Sequence, residues 1–376
     1  MKTLAIISHT KHYLNSDGDL VGLGSTVTEI NHLLDVFDQV VHVAMLYPGV
    51  PPPNMLPYQS NRVTLVALPP LGGKHWRDKL DLLVKAPKVL QTIRTVLGKC
   101  DYFQFRAPTG MGVFIIPYLM FFSSKQGWFK YAGDWGATGA SITYKFQRYL
   151  LKQQKRIVTI NGKWQDQLSH CLTFENPCLT SEEVEEGKHA IHTKLPIISG
   201  FNLCYVGRLE QEKGIELFLR ALGKLRKDQK VKLGTINIVG IGSHAKTYMD
   251  EAEKIDLNIV FHGLLSRADV HHIYKISHAI VLPSQSEGFP KVIAEAVNYG
   301  CFPVVSKIRA LQDYFSHGLN VFFLDDLTSD SLISAIDFVL REFENDSQRL
   351  GTVDSRLIKK FTYNHYNERI INEILQ

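Results

Sequence analysis

In the stretch SQSEGFPKVIAEAVNYG, residues 284–300, two carboxylates, Glu287 and Glu295, stand eight residues apart across the entry to a helix. Pro290 occupies the favourable first helical position, and Val292, Ile293, Ala296 and Val297 fall on one face of the turns that follow. Two like charges held so close gain little from each other, which points to a ligand. Free N–H groups at the helix start, Lys291 among them, and the positive end of the dipole suit a phosphate; Pro290 has no N–H to offer. Glu287, just ahead of the helix, is placed to accept hydrogen bonds from hydroxyls of a ligand held there. Glu295 lies about 7–8 Å further along the axis and reaches a different part of the same molecule. A ligand with two hydroxyl-bearing rings joined through phosphates would use both. The alternative is structural: Lys291, Glu295 and Asn298 recur at i, i+4 and i+7 and would form the solvated face of an amphipathic helix.

A second stretch, YVGRLEQEKGIELF (205–218), ends a strand and places Arg208 and Lys213 in the loop before a helix. Arg presents a planar fork for phosphate oxygens and Lys a compact charge, so the two make a diphosphate clamp. Alternatively they pair with Glu210 and Glu212 in a solvated loop, where ion pairs contribute almost nothing. In parallel α/β sheets ligands sit at the carboxyl ends of the strands, where both stretches fall.

The elements that must hold these residues alternate regularly. From residue 202 onward, β-rich runs at 203–207, 235–240, 259–263, 279–284, 302–306 and 320–325 are separated by helical segments, which predicts βαβ units and a doubly wound parallel sheet. The first half predicts a second α/β domain, with strands near 3–8, 39–45, 63–68, 101–105, 128–132 and 156–160. Its helices fall near 25–36, 86–98, 110–123 and 142–154. The charged, non-periodic segment ENPCLTSEEVEEGKHAIHTKLP suits an interdomain linker and an entry hairpin. These divisions give domains 1–180 and 181–359, with the last helix, about 360–376, returning to the first.

Composition narrows the class. At 376 residues with 45% hydrophobic content, the chain is long enough for two cores. A net charge of +5, spread out, argues for anionic ligands, and no nucleic-acid recognition module is visible. The five cysteines, Cys100, Cys171, Cys178, Cys204 and Cys301, lack zinc-ligand spacing and read as buried residues of a reducing, cytoplasmic compartment. MKTLAIISHTKHY reads as a first strand rather than a signal peptide, and no run approaches the ~20 apolar residues of a membrane span. The segment 114–130, FIIPYLMFFSSKQGWFK, reads as a buried helix followed by a strand, with peripheral contact to a membrane surface as the alternative.

VGRLEQEKG followed some eighty residues later by LPSQSEGFPKVIAEAVNYGCFPVV resembles the C-terminal domain of the retaining nucleotide-sugar glycosyltransferases of family 4, also called group 1, which have the GT-B fold. The resemblance covers about 200–325, including IVGIGS (238–243) and FHGLLSRADVHHIYKISHAIVLPS (261–284). It implies two Rossmann-like domains facing across a cleft. It assigns Arg208 and Lys213, with Gly207 beside them, to the donor diphosphate, Glu287 to the transferred sugar and Glu295 to the nucleoside ribose. Phe289 and Lys291 would offer backbone N–H groups nearby, and the loop at Gly263 and Leu264 would receive the base.

In the first half the match is one of outline. VGLGST (21–26) resembles the glycine-containing loop that approaches the donor phosphates, with Gly24 at its end, an N-cap at Ser25 being the alternative. Where many members carry a histidine, KYAGDWGAT (130–138) has Asp134, which would serve the acceptor hydroxyl or cap the next segment. Arg106 would line the cleft or form a structural salt bridge, and His9 and His12 read as structural or exposed. The implied activity is retaining sugar transfer from a nucleoside-diphosphate sugar to a glycan or lipid-linked glycan acceptor in cell-surface polysaccharide assembly, with no cofactor and no metal. The two D-x-D matches, 17–19 and 79–81, precede no donor site. The alternatives are a sugar-nucleotide-binding protein without transferase activity and a GT-B epimerase.

Overall fold

The computed structural model describes residues 1–73, 76–194, 200–345 and 354–376, which form two compact units. The first comprises Met1–Glu175 and Tyr363–Gln376, the second Asn176–Thr362.

The first unit holds a nine-stranded sheet: β1 (Thr3–Leu14), β2 (Leu20–Leu23), β3 (Gln39–Leu46), β4 (Met55–Pro57), β5 (Val63–Leu68), β6 (Tyr102–Ala107), β7 (Gln126–Tyr131), β8 (Val158–Ile160) and β9 (Cys171–Thr173). Its parallel part runs β5-β3-β1-β6-β7-β8-β9, and the far end of β1 pairs antiparallel with β2, which pairs with β4. The first strand is thus longer than its apolar run predicted. Its register with β3 slips between Ile7 and Lys11, which carries the chain past the core edge and into a hairpin. VGLGST is accordingly not a loop: Val21–Leu23 is strand, and Gly24 opens the helix Gly24–Leu33. Helix Trp76–Leu97 begins ten residues ahead of the predicted boundary and carries Pro87 within it.

The second unit is a six-stranded parallel sheet of β10 (Phe201–Val206), β11 (Leu233–Val239), β12 (Ile259–Gly263), β13 (Ala279–Leu282), β14 (Phe302–Ser306) and β15 (Phe322–Leu324), ordered β12-β11-β10-β13-β14-β15. Every residue of β13 and β14 is buried, as apolar runs covered by helices on both faces must be.

The Glu-rich segment after residue 180 is not a linker hairpin. Thr180 and Glu183 form a reciprocal capping box that starts the helix Ser181–His192, within the second unit. The T-x-x-E signature was present in the sequence, obscured by the charge around it. The final helix, Tyr363–Arg369, packs on the first unit: Tyr363 stacks on His32 at 4.1 Å, Asn367 donates to the His32 carbonyl at 2.6 Å, and Arg369 pairs with Glu175 at 2.6 Å. All five cysteines are free and buried.

Candidate active site

In the second sheet the strand order reverses between β10 and β13, and the loops leaving their carboxyl ends are the two motif-bearing stretches. Several contacts lock these loops together. The buried Tyr205 hydroxyl donates to the Arg208 carbonyl at 2.9 Å, with the Lys213 carbonyl at 3.2 Å, so one side chain ties both ends of the first loop. Burial, then the Glu287 charge, raises its pKa and keeps it a donor. Gln285 N–H donates across to the Glu212 carbonyl at 2.9 Å. Gly214 turns the chain with φ +79°, and a Cβ there would stand 2.2 Å from the Pro283 carbonyl oxygen, so only glycine lets the loops approach this closely.

The loops bring together charges 74 residues apart. Lys213 Nζ lies 2.6 Å from Glu287 Oε1, both side chains largely buried, and Ser284 Oγ donates to the same carboxylate oxygen at 2.9 Å. Of the two pairings offered by the loop itself, Arg208 reaches Glu212 at 3.4 Å in solvent, whereas Glu210 accepts from Ser243 N–H at 3.1 Å. Those hydrogen bonds lower the Glu210 pKa. Lys213 is therefore a cation held by a carboxylate inside the site, and Arg208 one standing at its rim.

Glu295 is not on a solvated face. Only 8% of it is exposed, and Arg267 Nη1 donates to its Oε1 at 2.8 Å. Arg267 also grips Glu183 at 2.7 and 2.8 Å and donates to the Cys178 carbonyl. Burial pushes the Glu183 pKa up, but hydrogen bonds from Arg267, its charge and the Thr180 N–H outweigh that and leave it lowered. Arg267 escaped the sequence analysis although it stands in the quoted LLSRAD segment, because nothing in its spacing says that it faces a residue 28 positions away. The helix starts one residue later than predicted: Pro290 is the N-cap, with φ −78° and ψ 94°, and the helix proper is Lys291–Asn298. Phe289, behind this entry, is buried against Phe361 at 5.3 Å.

The neighbouring strand ends complete a rim. Gly240 N–H donates to the Gly263 carbonyl at 2.8 Å and Gly207 N–H to the Val239 carbonyl at 3.0 Å, so Gly207 and Gly263 sit at adjacent strand ends with Leu264 just beyond. A Cβ on Gly240 would fall 1.8 Å from the Gly207 carbonyl oxygen.

In the first unit, Asp134 follows β7 and its Oδ1 accepts the Gly136 N–H at 2.9 Å, a capping contact. Gly24 N–H donates to the Asn54 carbonyl at 3.0 Å, and the N-cap of its helix is Leu23 rather than Ser25. Arg106 forms a salt bridge: Glu29, 3% exposed, receives Arg106 at 2.9 Å and Lys130 at 2.5 Å. His12 is structural, joined through the Tyr58 hydroxyl (2.8 Å) to buried His42 (2.5 Å), which contacts Ser8 Oγ at 2.7 Å. His9 lines a cavity, and its buried Nδ1 has no hydrogen-bond partner among the described residues.

Two Rossmann-like units of this topology define the GT-B class of fold. Residues 188–352 match the model of the family described as Glycosyl transferases group 1. The chain is similar to an uncharacterized glycosyltransferase of Methanocaldococcus jannaschii, 26% identical over 172 residues (45% of this chain and 43% of that one). It is also similar to the lipopolysaccharide 1,2-N-acetylglucosaminetransferase of Salmonella typhimurium, 27% identical over 180 residues (44% and 46%). The chain thus spans less than half the length of these curated relatives. Its fold is similar to that of Anabaena HepE, solved in complex with UDP and glucose, with a TM-score of 0.68, 15% identity and 100% coverage of both chains.

Proposed function

We propose that the protein is a retaining, metal-independent glycosyltransferase that moves a sugar from a nucleoside-diphosphate sugar to an acceptor hydroxyl, in the assembly of a cell-surface polysaccharide or lipid-linked glycan. The observation that carries this reading is the Lys213–Glu287 pair at the switch point, four residues ahead of the helix start at Lys291, with Glu295 of that helix paired to Arg267. The diphosphate lies against Arg208, Lys213 and the helix N-terminus. Glu287 accepts from the sugar hydroxyls and Glu295 from the ribose. As the bond between the anomeric carbon and the phosphate oxygen breaks, the acceptor oxygen bonds the same face of that carbon and its proton passes to the leaving phosphate. The two cations stabilise the charge that develops there, and the protein contributes mainly position and field. Five free, buried thiols suit a reducing, cytoplasmic compartment.

The test is a panel of UDP-, GDP-, ADP- and TDP-sugars, scored for thermal stabilisation and then for product in excess chelator. UDP donors come first because the Anabaena protein was solved with UDP. One donor at about 100 times its Kd should add about 2.7 kcal/mol of stability, and its product should keep the donor's anomeric configuration. Stabilisation without even slow donor hydrolysis would favour a binding protein, and dependence on manganese would overturn the metal-free mechanism. Asp134→Asn retains an oxygen for the Gly136 N–H, so loss of transfer with donor binding intact would assign its charge to the acceptor, and unchanged transfer would leave it a cap.

A further inference from the structure

The first unit has its own switch point, between β1 and β6, and two cavities open there. One, about 530 Å³, lies among Ser8, His9, Lys11, Arg106 and Gly133; the other, about 930 Å³, shares His9, Lys11, Pro108 and Thr109 with it. No lining residue among those described is acidic, while Lys11 stands at both and Arg106 at the first. Arg106 is also engaged by buried Glu29, which Lys130 shares, and Asp134 follows the lining residue Gly133. The buried Nδ1 of His9 has no hydrogen-bond partner among the described residues. These lining groups suit an anion.

The larger cavity is also lined by the apolar and aromatic side chains of Leu82, Leu83, Val113, Phe114, Ile142 and Tyr144. Leu83 and Ile142 are 61% and 86% exposed, so this wall continues onto the surface. Along helix Ile142–Gln153 the apolar line runs on at i, i+4 and i+7 through Phe146 and Tyr149, both exposed, with Lys145 and Lys152 on its flank. A cavity lined both by Lys11 and His9 and by aliphatic and aromatic side chains that continue onto the surface matches a ligand with an anionic head and a long apolar tail.

We infer that the first unit binds an acceptor that is a long-chain phosphate ester, its phosphate against Lys11, His9 and Arg106 and its chain leaving over Leu83 and Ile142. This deepens the transferase reading and rests on it only in calling the ligand an acceptor. Direct binding of C6, C8 and C10 alkyl phosphates, each below its micellar concentration and without donor, tests it by calorimetry. Affinity should rise about two- to four-fold per added methylene. Decanol and inorganic phosphate should each bind at least ten-fold more weakly than decyl phosphate. Lys11→Ala and Ile142→Asp, both surface changes, should each weaken decyl phosphate about ten-fold with the circular dichroism spectrum unchanged, and Lys213→Ala should leave its binding intact.

Equal binding of all chain lengths, or of decanol and decyl phosphate, overturns the inference, as does loss of binding in Lys213→Ala, which would move the ligand to the donor site. If Ile142→Asp reduces binding to phosphatidylglycerol vesicles but not to decyl phosphate, the apolar line is a membrane-contact surface and the acceptor assignment fails. Chain-dependent binding without sugar transfer sinks only the transferase reading, and transfer without chain dependence sinks only this one.

Discussion

At the scale of single residues, the site divides its positive charge between two differently held cations. Lys213 is buried against Glu287, whereas Arg208 pairs with Glu212 in solvent. Each faces the growing charge of a departing diphosphate in the proposed mechanism, so Lys213→Ala and Arg208→Ala should each lower kcat by about two orders of magnitude in excess chelator. Their stabilities should differ. Lys213→Ala leaves Glu287 enclosed without its cation and should cost about 1–3 kcal/mol, while Arg208→Ala should leave Tm nearly unchanged. Near-normal turnover in both would remove the charge-stabilisation argument. Glu295→Gln keeps an oxygen for Arg267 and loses only the charge, so the fold should survive while UDP affinity falls about ten-fold; unchanged affinity in a titration would return Glu295 to a structural ion pair with Arg267.

At the scale of elements, the geometry depends on how closely the loop after β10 approaches the end of β13. Gly214 permits that approach, with φ +79° and no room for a Cβ beside the Pro283 carbonyl. Gly214→Ala is therefore expected to cost at least about 1–2 kcal/mol and, by pushing the loops apart, to weaken nucleotide binding and turnover together. Alanine at exposed Gly139, where a Cβ meets nothing within 4 Å, is the control and should change neither. Thermal melts and donor titrations of the pair decide it; a Gly214 variant with wild-type melting and affinity would show that the loop packing is not what sets the site. The capped helix Ser181–His192 does related work from outside, since Glu183 of its first turn holds the arginine that holds Glu295.

For the whole molecule, buried histidines set the acid limit of stability. His42 lies well below the usual value of 6.5, through burial first and then the charges of His12 and Arg106, and His9, His12 and His271 are lowered mainly by burial. A depressed histidine is neutral in the folded chain while the unfolded chain takes up protons below about pH 6.5, so stability is full above that pH and falls below it. Tm should drop between pH 7 and 5, ahead of the carboxylates Glu183 and Glu186, whose lowered values place their loss below about pH 4.5. A flat Tm over that window would contradict the neutral His42–Tyr58–His12 network. The alternation of β-rich and amphipathic segments predicted the doubly wound second sheet and an α/β first domain without its strands β2, β4 and β9, and Glu287, Glu295, Arg208 and Lys213 stood out as candidates because phosphate and hydroxyl recognition favours such side chains at strand ends and helix starts. Periodicity reports only which face of an element is apolar, so it placed Glu295 with Lys291 and Asn298 on a solvated face. The burial of that helix on several sides, the crossing of Lys213 to Glu287 and the reach of Arg267 to both Glu183 and Glu295 were decided by tertiary structure alone. These are contacts between residues 28 to 84 positions apart, and local spacing carries no information about the loop packing that closes such distances.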